Sequence, residues 1–123
     1  MIGLGLDLCE IARMEKMLDK GSLFLGRYFT LEEQAYIQHR GKMAAQTMAA
    51  IYAAKEAFWK AIGTGMEGRE ALTSVAVRHA DNGRPYYALT GLAVKRLTDA
   101  GGTRVLLSIT HEAGLAAAVA IIE

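Results

Sequence analysis

Ala53-Ala54-Lys55-Glu56-Ala57-Phe58-Trp59-Lys60-Ala61-Ile62-Gly63-Thr64-Gly65 closes a run that opens near Lys42 or Met43, rich in Ala and Met and free of proline. That composition predicts one long helix, with Gly63 as the left-handed residue that ends it. Glu56 and Lys60, four residues apart, rise from one face, with Trp59 and Gly63 beside it. Phe58 and Ile62 extend a neighbouring apolar stripe with Ile51 and Ala54. An isolated Glu-x-x-x-Lys pair is ordinarily a weak surface ion pair. Here Tyr52, Glu56, Trp59 and Lys60 share a side, and two aromatics on it call for a cover.

The rest of the composition bounds the answer. A chain of 123 residues with 52% hydrophobic content predicts one folded domain over residues 1–123. Its net charge of +1 sets up no field that selects nucleic acid, so an acidic partner must be met by a local cluster. The single cysteine, Cys9, fits a reducing compartment. The amino terminus lacks the pattern of a leader, and no segment approaches the roughly 20 apolar residues that span a bilayer. The expectation is a cytoplasmic protein with no membrane contact.

Residues 2–8 alternate, with Ile2, Leu4, Leu6 and Leu8 on one face and Gly3, Gly5 and Asp7 on the other. That period of two predicts a half-buried strand with the leucines as its apolar face. The glycines leave the Asp7 face open to a ligand or to a second backbone, and Asp7 reads equally well as a strand-end carboxylate or helix cap. Glu10–Lys20 predicts a short helix ending at Gly21, with Arg13, Lys16 and Lys20 lined up on one side. Residues 22–29 read as irregular. Thr30-Leu31-Glu32-Glu33 is a capping box opening a helix to about His39. Met66–Ala71 reads as a polar, irregular connection and Leu72–His79 as a strand. Asp81-Asn82-Gly83-Arg84-Pro85 then turns into a return strand, Tyr86–Leu89. Thr90 caps a helix through Leu97, stopped by Gly101-Gly102, and Arg104–Thr110 and Leu115–Ile122 form a second hairpin. Strands joined by short turns predict an α+β fold, a mainly antiparallel sheet packed against the long central helix.

Several chemistries fail on spacing. H-E-x-x-H and paired C-x-x-C are missing, so zinc is not signalled. Gly3-x-Gly5 lacks the third glycine of a dinucleotide fingerprint, and Gly63-x-x-x-x-Gly68 lacks the Lys-Ser/Thr of a P-loop. Cys9 has no base to activate it, and Ser108 near His111 lacks an orienting acid. Hard-cation and phosphate chemistry remains. If Asp7 and Glu56 converge, two carboxylates with waters suit Mg²⁺. Lys60 then stands one turn from Glu56 to meet a phosphate, and Gly63-Thr64-Gly65 offers bare backbone N–H groups. Spacing alone does not bring the two acids together.

Taken in order, five segments resemble the holo-[acyl-carrier-protein] synthase family of 4′-phosphopantetheinyl transferases. Gly3-Leu4-Gly5-Leu6-Asp7, followed by Glu10 and Arg13, resembles its G-x-G-x-D strand. Arg27-Tyr28-Phe29-Thr30-Leu31-Glu32-Glu33 resembles its R-x-F-T-x-x-E segment. Residues 53–61 with Gly63-Thr64-Gly65 are similar to its A-A-K-E-A-x-x-K-A signature. Asn82-Gly83-Arg84-Pro85 and Ser108-Ile109-Thr110-His111 resemble its N-G-x-P and S-x-S/T-H elements. The cassette with its upstream Asp is the specific part; a capping box or an Asn-Gly turn alone is not.

The resemblance implies the 4′-phosphopantetheinyl transferase fold. It also implies an Mg²⁺-dependent transfer (Mn²⁺ being the alternative) of the phosphopantetheine arm of coenzyme A to a serine of apo acyl carrier protein, releasing 3′,5′-ADP in fatty acid biosynthesis. By it, Asp7 and Glu56 hold the metal. Glu56 draws the serine proton, directly or through a metal-bound water, and Lys60 neutralises or protonates the leaving phosphate. Lys60 and the Gly63-Thr64-Gly65 backbone contact coenzyme A, as do Asn82, Gly83, Pro85 and His111. Arg13, Lys16, Lys20 and Arg27 meet the acidic carrier. Short members of the family are homotrimers with active sites between subunits, so Asp7, Glu56 and Lys60 are expected to face Asn82, Pro85 and His111 of a neighbour. Two departures stand out. Ile51 occupies a position where relatives often carry Arg, and Arg84 adds a charge at the hairpin tip. The rival readings are a non-catalytic coenzyme A or nucleotide-binding module on the same scaffold and a purely structural oligomer. Neither explains the joint presence of Asp7, Glu56 and Lys60.

Overall fold

Small residues govern how the central helix meets the sheet. The computed structural model describes residues 1–21, 25–66 and 68–123. Strand β1 (Gly3–Glu10) runs into α1 (Ile11–Asp19), and α2 (Leu31–His39) follows. A 3₁₀ turn at Gly41–Met43 precedes the long α3 (Ala44–Ile62), which therefore starts a residue or two later than its composition predicts. Helix α4 (Gly68–Thr73) leads into the hairpin of β2 (Val75–His79) and β3 (Pro85–Leu89). Helix α5 (Gly91–Asp99) and the hairpin of β4 (Val105–Glu112) and β5 (Leu115–Ile122) complete the order. All pairings are antiparallel: β1-β5-β4 form one sheet and β2-β3 another, which makes the fold α+β as expected.

The central helix lies on the inner face of the three-stranded sheet. Ala116, Ala118 and Ala120 of β5 and Ala53, Ala57 and Ala61 of α3 are the small residues of this interface. At Gly3 and Gly5 the approach is backbone on backbone. A Cβ there would collide with the carbonyl oxygens of Ala61 and Ala57, so no larger residue fits. Of the two readings of the glycine face, the second backbone is what occupies it.

This packing corrects the orientation expected for β1. Gly5, Asp7 and Cys9 face the interior, while Leu4, Leu6 and Leu8 stand 58%, 61% and 60% exposed. Alternation shows that the faces differ, and here the thin face goes inward because only it admits the helix so close.

Local signals act as the sequence predicts at most ends. Thr30 Oγ1 accepts from Glu33 N–H at 3.1 Å, and Glu33 Oε1 accepts from Thr30 N–H at 2.9 Å, a complete capping box. Gly63 adopts φ +88°, and its N–H reaches the carbonyls of Trp59 and Lys60. Asn82-Gly83 turns the first hairpin, with Asn82 Oδ1 accepting from Arg84 N–H at 3.0 Å. Thr90 sits at the N-cap of α5 without a side-chain cap bond. The segment expected to be irregular after Gly65 contains α4, and Leu72, expected in the strand, lies in that helix. Ala71 and Leu72 are buried there, and the Trp59 indole N–H donates to Ala71 O at 2.8 Å. The expected irregular stretch 22–29 lies partly outside the described residues.

Lys55, to which sequence reading gives no role, is wholly buried on α3. Its ammonium donates to Glu33 Oε1 at 2.7 Å and to the carbonyls of Leu72 and Val75 at 2.8 and 2.9 Å. Glu33 Oε2 in turn accepts from Val77 N–H at 2.9 Å. Glu33→Ala strands a buried ammonium and a strand N–H, and should cost about 3–5 kcal/mol in urea unfolding. Glu33→Leu with Lys55→Met should recover most of it. A loss below about 1 kcal/mol, the range of an exposed pair, would mean the two charges are not coupled inside the core.

Candidate active site

Asp7 and Glu56 come together where β1 crosses α3. Asp7 faces inward because it shares the glycine side of the strand, and Glu56 is half-buried on the helix above. Lys60, one turn on, donates to Asp7 Oδ1 at 2.8 Å and to the Leu6 carbonyl at 3.1 Å. Hydrogen bonding to Asp7 holds the Lys60 ammonium above its ordinary range, so it remains a cation at neutral pH. Burial pushes the Glu56 carboxyl up to about 7, and the neighbouring Asp7 carboxylate adds to that. The Tyr52 hydroxyl and the Lys60 charge oppose the rise.

This arrangement is built to receive positive charge. Asp7 Oδ2 is buried and has no hydrogen-bond partner, a costly state for a carboxylate oxygen. Two carboxylates beside one another raise each other's energy unless a cation lies between them. Both are hard oxygen donors, the type that Mg²⁺ and Mn²⁺ accept. Among the described residues no group of three or more His, Cys, Asp or Glu gathers into a closed cage. An ion here would draw its remaining ligands from water and phosphate oxygens.

The other predicted positions fall into three places. Thr64 and Gly65, just past the end of α3, line a cavity of about 630 Å³ that runs over Trp59 and Leu92 to Arg96. Gly83, Pro85 and His111 line a second cavity, of about 210 Å³, with Tyr36, Arg40 and His79. Asn82 is exposed at the nearby hairpin tip. His111 contacts Gln46 near the start of α3, nitrogen to nitrogen at 3.2 Å. Gln46 and Glu56 are ten residues apart on that helix, roughly 15 Å of rise. Within one chain the two halves of the expected coenzyme A contact are therefore separate. Arg13, Lys16 and Lys20 lie exposed along α1, and Arg27 is exposed beyond it.

Sequence reading misplaced one aromatic and missed a cluster. Trp59, expected on the side of Glu56 and Lys60 and in need of a cover, is buried in the core. It packs edge-on to Phe58, with Ala71, Val75 and Ala93 around the two rings. Tyr52 is the aromatic that does serve the acid face, buried beneath the Arg13 guanidinium at 5.2 Å. In the smaller cavity Tyr36 and His79 stack at 4.1 Å and 6°, with Arg40 over the tyrosine ring. Burial and the Arg40 charge lower the His79 imidazole below its ordinary range. Neither Tyr36 nor Arg40 carries a spacing signal. Only the fold brings α2 alongside the first hairpin.

Comparison with known proteins places the whole chain in a family. A family model described as the 4′-phosphopantetheinyl transferase superfamily matches residues 3–120. A holo-[acyl-carrier-protein] synthase of Treponema denticola is 46% identical over 123 residues, covering 100% of this chain and 98% of its own. One from Trichlorobacter lovleyi is 39% identical with the same coverage of 100% and 98%. Among solved structures, the holo-[acyl-carrier-protein] synthase of Neisseria meningitidis superposes with a TM-score of 0.86 at 34% identity, covering 100% of this chain and 98% of that one. The Helicobacter pylori enzyme, solved in complex with coenzyme A, does so at 0.79 and 26%, covering 98% and 99%. With both sequence and backbone alike from end to end, this chain belongs to the 4′-phosphopantetheinyl transferase superfamily.

Proposed function

We propose that the chain, acting as one domain, transfers 4′-phosphopantetheine from coenzyme A to a serine of apo acyl carrier protein, with Mg²⁺, in the cytoplasm and for fatty acid synthesis. The observation that carries this is the meeting of Asp7, Glu56 and Lys60 at one point, with a buried carboxylate oxygen left unpartnered. Curated relatives that share the whole chain bear the name of that activity.

Asp7 and Glu56 would hold the divalent ion, which when bound offsets the charge of the diphosphate. The serine oxygen attacks the phosphorus that bears the pantetheine arm. The bond from that phosphorus to the bridging oxygen breaks, and 3′,5′-ADP leaves with the oxygen. Glu56, raised to about 7, takes the serine proton, a value suited to a base working near neutrality. Lys60, held cationic by Asp7, neutralises the departing phosphate. Positioning and charge carry most of the work in such transfers.

Coenzyme A would lie along Lys60 and the Gly63-Thr64-Gly65 turn of one subunit and against Asn82, Gly83, Pro85 and His111 of the next. The roughly 15 Å between these groups on one chain supports a site shared by two copies. The outward rows of β1 and β5 supply a surface for that assembly, in our reading a homotrimer. Leu4 and Leu6 stand beside Ile121 and Val119, an apolar sheet face that water covers poorly. Arg13, Lys16, Lys20 and Arg27 form the basic approach for the acidic carrier, which mainly speeds encounter.

Glu56→Ala and Asp7→Ala should each abolish carrier modification, followed by mass spectrometry with coenzyme A and with or without Mg²⁺, while the fold persists. Parental modification by either variant would remove that residue from the mechanism. Leu6→Glu should shift the species seen by light scattering to a single chain and abolish transfer with it. A trimer that survives this change would clear the leucine face of the role. The pH dependence follows from Glu56. Its carboxylate forms as pH rises through about 7, so kcat/KM should climb across that range, with the midpoint lower at saturating Mg²⁺. Stability moves the opposite way. Between 4.5 and about 7 the folded chain keeps a proton that the unfolded chain has released. The Glu56 contribution is thus full below that window and lost as pH rises through it. Asp7→Asn should flatten that decline in metal-free thermal melts.

A further inference from the structure

Tyr52 carries a hydroxyl into a place where a plain aromatic ring would fill the core equally well. The ring is 6% exposed, set edge-on to Tyr28 at 5.9 Å and 69°, with the Arg13 guanidinium over its face at 5.2 Å from the centroid. Held on these sides, it has little freedom to turn. Tyr52 and Glu56 lie one turn apart on one face of α3, so the phenol and the carboxylate are neighbours. The Arg13 guanidinium over the same ring is a neighbour of its hydroxyl as well. The phenol can do both at once, donating its O–H to the carboxylate while its oxygen accepts from the guanidinium. A guanidinium on the oxygen polarises the O–H and strengthens its gift to the acid. The chain of contacts therefore runs from an exposed residue of α1, through a buried ring, to Glu56 and on to Asp7 and Lys60.

We propose that Tyr52 is a positioning residue for the two carboxylates, its hydroxyl fixing Glu56 toward Asp7, and that Arg13, through that hydroxyl, makes contact at α1 felt at Glu56. This rests on the transfer reading and adds to it. Arg13 does more than attract the carrier, and Lys16, on the same helix without a tyrosine beneath it, only attracts. Outer partners that orient a metal-binding carboxylate matter almost as much as the ligands themselves.

The test uses the full chain and begins with the metal alone. Tyr52→Phe keeps the ring, so melting should stay near the parent's. Its Mn²⁺ affinity, read by electron paramagnetic resonance without coenzyme A, should fall about tenfold. With coenzyme A and apo carrier, kcat should fall by about the same factor, and KM for coenzyme A should stay within about twofold. Arg13→Ala should raise the KM for carrier and also lower kcat at saturating carrier. In the Tyr52→Phe background that loss of kcat should vanish, because the link is already cut. Lys16→Ala should change the carrier KM alone. Parental Mn²⁺ affinity and kcat in Tyr52→Phe would overturn the proposal. So would an Arg13→Ala loss of the same size in both backgrounds, and this variant leaves the core untouched. If the parent itself modified no carrier, the transfer reading would fall, while the Mn²⁺ measurement would still decide the role of Tyr52.

Discussion

One buried ion pair holds the parts of this fold in register. Lys55 and Glu33 come from different helices, and each has its remaining polar capacity met by backbone. The lysine gathers the end of α4 and the start of β2, and the glutamate binds Val77, two residues further along that strand, and its own helix start. The Phe29 ring lies 5.6 Å from the ammonium. Burial pulls the Lys55 ammonium below its ordinary range against the pull of Glu33, so the charge is kept at a cost. The return is geometric more than energetic. Five directional bonds converge where an apolar plug would leave α2, α3 and β2 free to slide.

The pair sits one residue before Glu56, the carboxylate proposed above as the base. Successive helix residues point about 100° apart, so Lys55 faces the interior while Glu56 faces β1. The short run Ala-Lys-Glu-Ala therefore has two duties, anchoring the helix from within and presenting an acid at its edge. Ala57 on this run lets β1 come close, its carbonyl meeting Gly5. Rotating the helix to suit either duty would spoil the other, which is why the site can be precise without bulky walls.

Much of this was legible in the residues. The length of α3 follows from its Ala and Met content, its end from Gly63, the first hairpin from Asn82-Gly83, and the second from the short connection at residues 111–114, whose turn is only Ala113-Gly114. The carboxylates were legible as chemistry, and their convergence became plain only when β1 proved to lie on α3. The leucine row was misread because alternation is silent on which face goes inside when both faces are apolar or small. Lys55 lies between Ile51 and Phe58 on the apolar stripe, a hint that it was buried, but its partner was 22 positions away. Helix α4 was missed because its sequence is polar, and it is fixed by tertiary contacts of Ala71 and Leu72 rather than by propensity.

The glycine contacts of β1 reach beyond packing. Where Gly5 meets the Ala57 carbonyl, main chain touches main chain, with no side-chain rotamer in between to give or take. The gap between the strand and the helix is thereby set by atomic radii, like the jaw of a fixed spanner. If the proposed ion is held there, ions of different radius would not be suited by widening or narrowing that jaw. Any discrimination among them would fall to the water molecules each carries, and a small, tightly hydrated ion brings the most orderly set.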